Sequence, residues 1–379
     1  MNPAARYEAL DGWRGICALL VALFHFFALN HFLELRFFRH GYLFVDFFFV
    51  LSGFVVRHAY GERVRDGRSY AGYVVRRFGR LWPLHAAVML GFLIAHIAFS
   101  LAAGTEVFSG KFSAPSFATN FLLLHGLGIH DRLTWNGPSW SISTELITYL
   151  MFGAVLLLLV RRRLLAYLAL ALLGAIVVAA CSRWYMNTTY DFGLFRCLYG
   201  FFVGAALYEL RAAGKLAPMP ARLSLPLELL AVIATITFVA AAGDRALGLA
   251  APFVFAFAIW VFETESGPLS RLLLRAPFQK LGRWSYSIYL VHGLVLLLVF
   301  RLALVLQQQG GPVLFEAGGA RLDFGNPWIA DLATLGFLAL TLLASAATYR
   351  WIEVPARDYF SRLARERIEQ ARATASPAS

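Results

Sequence analysis

The chain has 379 residues, of which 59% are hydrophobic and only 15% are charged, and its mean hydropathy is +0.64. Because the apolar residues form long blocks, this composition excludes a soluble globular protein and indicates an all-α polytopic membrane protein. The formal charge of +12 is typical of a nucleic-acid-binding protein, but the arginines lie mainly between the apolar blocks, where they set topology. We therefore expect membrane lipid, and no nucleic acid, among its partners.

Hydrophobic windows of about 17 to 22 residues, the length that crosses about 30 Å of hydrocarbon, predict ten membrane-spanning helices. No short apolar core with a small-residue cleavage site opens the chain, so we expect the first segment to stay as a helix. The stretch 116–129 is too short to span and is interpreted as a re-entrant or interfacial piece. The predicted spans are 11–29, 41–57, 84–103, 139–160, 164–181, 192–210, 226–242, 246–262, 285–306 and 328–350.

The connections alternate in charge, which predicts the orientation. Every second connection carries three to seven Lys or Arg, and those between carry one or two. Since positive loops remain in the cytoplasm, both termini are predicted to be cytoplasmic. We expect residues 1–356 to form one transmembrane domain, and 357–379 to be a basic cytoplasmic tail that begins as an interfacial helix and ends frayed.

The first span carries two polar residues, Arg14 and His25, eleven positions apart. Eleven residues turn a helix through three turns plus about 20°, so both side chains lie on one stripe. At about 1.5 Å per residue, His25 lies roughly 16 Å beyond Arg14, in the outer half of the membrane.

Asp46 and Glu145 are predicted at a similar depth to His25, on the second and fourth spans. Ionisable groups inside a membrane cost free energy unless they are paired or hydrated, and they commonly mark a functional interior. We therefore expect His25, Asp46 and Glu145 to form a catalytic site if their helices are neighbours. The alternative is that the histidine bonds another helix, and that Asp46 pairs with an arginine to hold the bundle together.

Arg76, Arg77 and Arg80 precede the third span at spacings that form one basic patch on a helix. Guanidinium groups bind phosphate bidentately, although composition alone favours a membrane-surface anchor. At the predicted outer mouth, Trp135 and Trp140 are suited either to stacking on a sugar ring or to the membrane interface.

His292 lies on the ninth span, on one face with Ser285 and Tyr289. If the span begins at 285, this histidine falls in the inner half, well separated from His25. We interpret it as a partner in a structural hydrogen bond. The three cysteines show no metal-ligand spacing, so no metal is expected.

This layout suits transfer of a group from a phosphorylated cytoplasmic donor to an acceptor outside. An imidazole is a common general base for a hydroxyl, and a nearby carboxylate can fix its tautomer. A transporter or channel remains an alternative, because a polar stripe between helices also carries substrates. A non-catalytic scaffold is another.

Six motifs in chain order resemble the integral membrane acyltransferase-3 family, whose members O-acylate sugars and polysaccharides. The resemblance covers about residues 7 to 360. The motifs are "LDGWRGICALLVALFHF", "GYLFVDFFFVLSGFV", "RRFGRLWP", "WSISTELITY", "LGRWSYSIYLVH" and "YRWIEVPAR".

The resemblance implies a ten-helix inner-membrane enzyme that takes an acyl group, commonly acetyl, from cytoplasmic acyl-CoA. The acceptor would be a hydroxyl of a sugar or cell-envelope polysaccharide on the outer side. His25 matches the family's essential histidine and Arg14 its paired arginine. Arg77 and Arg80 match the motif that engages the CoA donor, and Glu145 occupies the position of the usual glutamate.

Overall fold

The structure is a computed structural model that describes residues 7–311, 314–315 and 321–373, with the backbone alone for 367–373. Over these residues the chain forms fourteen α-helices and isolated β-bridges but no strand. The helices are α1 (Glu8–His25), α2 (Arg36–Arg39), α3 (Phe44–Tyr60), α4 (Gly67–Ala102), α5 (Ala114–Phe121), α6 (Trp140–Leu158), α7 (Arg163–Cys181), α8 (Gly193–Ala212), α9 (Ser224–Ala242), α10 (Ala251–Phe262), α11 (Pro268–Leu273), α12 (Ala276–Gln308), α13 (Pro327–Thr348) and α14 (Val354–Ala373).

Eight helices of the described chain are long and apolar enough to cross a membrane: α3, α4, α6, α7, α8, α9, α12 and α13. The predicted all-α polytopic membrane protein is therefore confirmed. The other two predicted spans coincide with α1, which carries Glu8, Asp11 and Arg14, and with α10, whose apolar helical stretch covers only Ala246–Phe262. The predicted cytoplasmic location of the termini stays a prediction.

The helices α1 and α12 run parallel and touch through their backbones. A Cβ placed on Gly15 would lie 2.7 Å from the Gly282 nitrogen, and one placed on Gly282 would lie 2.3 Å from the Asp11 oxygen. The Gln279 amide also donates to the Glu8 carbonyl oxygen at 2.7 Å. Small residues permit such close approach in a membrane, so the register of the two helices is fixed.

A second backbone contact joins α3 and α8. A Cβ placed on Gly53 would lie 1.8 Å from the Phe201 carbonyl oxygen, and one placed on Gly204 would lie 1.8 Å from the Val50 carbonyl oxygen. This contact brings the first turns of α3 alongside the first turns of α8.

The short helix α5 and the turns that follow it fold back along α4. The Trp82 indole donates to the Phe121 carbonyl oxygen at 3.0 Å, and His85 Nε2 lies 2.8 Å from the Asn120 carbonyl oxygen. Trp82 lies 20 residues, or about 30 Å of helix, before the end of α4. The segment therefore lies beside the middle of α4, and its re-entrant or interfacial position in the membrane stays a prediction.

The helix α13 continues through a π-helical segment, Tyr349–Glu353, into α14. The predicted helical start of the tail is confirmed, because α14 runs to Ala373. The frayed end falls partly on residues 374–379, which lie outside the described residues.

We expect Gly204→Ala to lower the thermal midpoint of the detergent-solubilised protein, because the new methyl group overlaps the backbone of α3. Overpacking of this kind typically costs about 1–3 kcal/mol. The matched control is Gly336→Ala on α13, where a Cβ would meet no heavy atom within 4 Å. The control should be neutral or stabilising, and equal midpoints for the two variants would contradict the close contact.

Candidate functional site

A half-polar cavity of about 150 Å³ lies between α1, α3, α4, α6 and α12. The described polar side chains that line it come from all five helices: Arg14, Ser52, Arg77, Arg80, Ser141, Glu145, Tyr149, Ser285, Tyr286 and Tyr289. It is smaller than the roughly 300–1,000 Å³ of typical ligand pockets. It therefore suits a slender part of a ligand, with the remainder outside.

Arg77 differs from the other arginines of this cavity in its hydrogen-bond partners. Its Nη2 donates to the Tyr60 hydroxyl at 3.2 Å, and its guanidinium lies 5.0 Å and 5.4 Å from the ring centres of Tyr60 and Tyr149. Its Nε is buried and has no hydrogen-bond partner. No carboxylate of the described residues pairs with Arg77, so an anion is the ligand that this side chain favours.

The other arginines of the predicted patch differ from Arg77. Arg14 pairs with Asp11 at 3.1 Å, and Arg80 pairs with Glu353 on the π-helical segment. Both line the cavity. Arg76 bonds only weakly to the Gly72 carbonyl oxygen, at 3.5 Å, and is absent from the cavity lining. The structure thus brings Arg14, Arg77 and Arg80 together and leaves Arg76 outside.

Glu145 also faces this cavity, with its Oε1 accepting hydrogen bonds from Ser52 and Tyr149, each at 2.6 Å. The sequence predicted that Glu145 or Asp46 would orient His25. In the structure the Glu145 carboxylate instead shares the cavity of the three arginines.

Asp46 forms a bidentate ion pair with Arg196 of α8, at 2.9 Å and 2.8 Å, and both side chains are buried. The guanidinium also lies 5.7 Å from the Tyr42 ring centre and 5.4 Å from that of Trp140. Both carboxylate oxygens of Asp46 are thus bonded to Arg196, so this geometry does not support the predicted role of Asp46 in a catalytic site with His25. The alternative, an ion pair that holds the bundle together, is what the structure contains.

His25 lies at the end of α1, and its Nδ1 is 2.8 Å from the Val21 carbonyl oxygen. A carbonyl oxygen only accepts, so Nδ1 carries the proton and Nε2 keeps its lone pair. The backbone thus fixes the tautomer, which is the role that the sequence assigned to a carboxylate.

The neighbour of the His25 ring is His292, with ring centres 5.0 Å apart. The predicted depth of His292 is wrong because α12 begins at Ala276, nine residues before the predicted start. Gly15 meets Gly282, and ten residues further along each parallel helix stand His25 and His292.

Neither predicted sugar-stacking tryptophan presents a free ring. Trp135 and Trp140 are each 4% exposed. The Trp135 indole donates to Ser116 Oγ at 3.0 Å, and the Trp140 ring packs against Gly193 and Phe49. Both rings are covered by protein, so this geometry does not support the sugar-stacking interpretation.

Sequence reasoning missed Arg196, although a signal was present. An arginine inside a predicted apolar span requires an opposite charge on another helix, and Asp46 was the available aspartate. The tyrosines around Arg77 carried no comparable signal, because tyrosine is common at membrane interfaces.

One family model covers the residues that line the cavity, and two known proteins are similar to part of the chain. A family model described as an acyltransferase domain matches residues 7–350. "Protein 2 in picA locus" of Rhizobium radiobacter is 33% identical over 172 residues, which are 40% of this chain and 85% of that relative. "Acyltransferase MdmB" of Streptomyces mycarofaciens is 30% identical over 158 residues, 39% of this chain but only 38% of that relative. No solved structure matches.

Asp46→Ala should destabilise the protein strongly, because it leaves the Arg196 charge buried without a partner. Breaking a buried pair in this way typically costs about 3–5 kcal/mol. Asp131→Ala removes the exposed pair with Arg132 and should leave the thermal midpoint unchanged. A folded Asp46→Ala protein that unfolds at the wild-type temperature would contradict the structural role.

Proposed function

This chain belongs to the acyltransferase family whose domain model it matches, and from that membership we propose that it transfers an acyl group, commonly acetyl, from cytoplasmic acyl-CoA to a sugar hydroxyl. Family and apolar helices make it a multi-pass membrane acyltransferase. Four parts of this function are proposals: the acyl-CoA donor, the acetyl group, the polysaccharide acceptor on the outer side, and the location in the inner membrane.

The observation that supports a CoA donor most directly is the unpaired Arg77 guanidinium in the cavity. CoA carries phosphates, and arginine binds phosphate through parallel charge-assisted hydrogen bonds. Arg14 and Arg80 would complete the phosphate site, each steadied by its own carboxylate. Acyl-CoA supplies a thioester, whose acyl carbon is already activated toward a hydroxyl nucleophile.

In this proposal the donor binds near the first turns of α1, and the acceptor reacts near its last turn. The arginines hold the donor at the end predicted to be cytoplasmic, and His25 lies about 16 Å of helix beyond Arg14. The free Nε2 of His25 is the base that takes the proton from the acceptor hydroxyl. No carboxylate is needed for the tautomer, because the Val21 carbonyl oxygen already holds the Nδ1 proton.

We expect Arg77→Ala to weaken binding of coenzyme A roughly 10- to 100-fold, the effect of losing a hydrogen bond between charged groups. The matched control is Arg76→Ala, the adjacent arginine, which lies outside the cavity. Binding is measured by calorimetry on protein in nanodiscs. Equal affinities for the two variants would contradict the assignment of the cavity to the donor.

The function itself is tested with labelled acetyl-CoA and envelope glycans added to the purified protein in nanodiscs. Wild-type protein should release coenzyme A and label the glycan, and His25→Ala should lower the rate about 10²- to 10⁴-fold, the usual contribution of a general base. His58→Ala is the control, since His58 lies in the last turn of α3 and its Nδ1 is 2.7 Å from the Tyr208 hydroxyl. Solute movement without thioester consumption would indicate a transporter and overturn the proposal.

The acceptor is identified by mass spectrometry of envelope glycans from cells with and without the gene. An ester that disappears in the deletion strain, and returns with the wild-type gene but not with His25→Ala, names the acceptor. Unchanged esters in the deletion strain would contradict an envelope polysaccharide acceptor.

A further inference from the structure

The second histidine of the site, His292, has no role in the function proposed above. We propose that His292 is a positioning residue whose Nε2 accepts a hydrogen bond from His25 once His25 has taken the proton of the acceptor hydroxyl. This inference rests on the proposed function. It assigns the stabilisation of the protonated base to a neutral imidazole instead of a carboxylate.

The hydrogen bonds within the two helices put both rings in the same tautomer. His25 Nδ1 lies 2.8 Å from the Val21 carbonyl oxygen, and His292 Nδ1 lies 3.1 Å from the Ile288 carbonyl oxygen. Each Nδ1 must therefore donate, which leaves a lone pair on each Nε2 while the rings are neutral. The two rings cannot bond each other in that state, because both Nε2 atoms only accept.

The Nε2 atom of His292 is buried and has no partner, and the residue is 0% exposed. Buried polar atoms in native proteins are nearly always hydrogen-bonded, so this atom lacks a donor. The His25 ring lies beside it, with ring centres 5.0 Å apart and planes inclined by 43°. A proton on His25 Nε2 would supply the missing donor.

The hydrogen-bond donors of Tyr289 and Asn136, which lie near His292, are occupied. The Tyr289 ring stands 5.9 Å away, but its hydroxyl bonds Ser141 and the Pro138 carbonyl oxygen. The Asn136 amide nitrogen donates to the Leu290 carbonyl oxygen. A Cβ on Gly293 would lie 2.3 Å from Asn136 Oδ1, so the contact leaves no room for a side chain there. These contacts of Asn136 help to fix the axial position of α12, and with it the position of His292 relative to His25.

The transfer balances with His292 neutral at its start and its end. The acceptor oxygen bonds the acyl carbon while its proton passes to His25 Nε2, and the new N–H group is shared between the reacting oxygen and His292 Nε2. The carbon–sulfur bond of the thioester then breaks, and the sulfur leaves with the electron pair. His25 returns the proton to that sulfur, so the products are the ester and free coenzyme A.

Two amide variants separate the two nitrogen atoms of His292. In His292→Asn the amide nitrogen lies near the Nδ1 position and can still donate to Ile288, but the acceptor at the Nε2 position is gone. In His292→Gln the amide oxygen reaches the Nε2 position and can accept. We expect His292→Asn to lower kcat roughly 10- to 100-fold with the KM for acetyl-CoA unchanged, and His292→Gln to recover most of the rate.

The outcomes distinguish this inference from the proposed function. Wild-type protein that never consumes acetyl-CoA would refute the donor, whatever His292 does. With an active wild type, an unchanged kcat in His292→Asn overturns the role of His292. Equal losses in both variants, with equal thermal midpoints, assign His292 to packing and overturn it as well.

A spectroscopic readout requires no turnover and decides the case if either variant fails to fold. In ¹⁵N-histidine-labelled protein, assigned with His25→Asn and with the His292 variant that folds, both rings of the neutral wild type should carry the proton on Nδ1. Protonation of His25 should then shift the Nε2 resonance of His292, and His25→Asn should abolish that shift. The inference would be overturned if neutral His292 carries its proton on Nε2. It would also be overturned if the Nε2 resonance of His292 does not shift when His25 is protonated.

Discussion

The direct contact between the backbones of α1 and α12 is the constraint on which the site depends. Gly15 and Gly282 allow the two parallel helices to approach until no side chain fits between them. In hydrocarbon such packing supplies much of the attraction between helices. The contact fixes the axial register of the two helices and therefore places His25 beside His292. Arg14 lies at the opposite end of the same stripe of α1.

The buried charges divide into two groups. Asp46 with Arg196, and Glu353 with Arg80, are paired at short range, as charges in a poorly solvated interior must be. Arg77 is surrounded by tyrosine rings, which attract a cation without neutralising it. The bundle is thus held by charges that are already satisfied, while the charge that favours a ligand lies in the cavity.

The positions of the helices could be predicted because hydropathy is a local property of the chain, and the contacts between helices could not. The apolar window placed the ninth span at 285, since Lys280 and Arg283 precede it. The helix actually begins at Ala276, and this difference hid the contact of His292 with His25. The pairing of Asp46 with Arg196 joins residues 150 positions apart, so it required knowledge of which helices are neighbours.

The position of α5 beside the middle of α4 bears on the order in which the chain assembles during synthesis. With eight residues, α5 cannot cross the bilayer alone, and the Asn120 and Phe121 carbonyl oxygens find their donors on α4. Hydrocarbon offers no substitute for those donors, so the segment cannot settle before α4 stands in place. Because α4 precedes α5 in the chain, those donors are synthesised before the carbonyl groups that they serve. The order of synthesis therefore matches the order in which these hydrogen bonds can form.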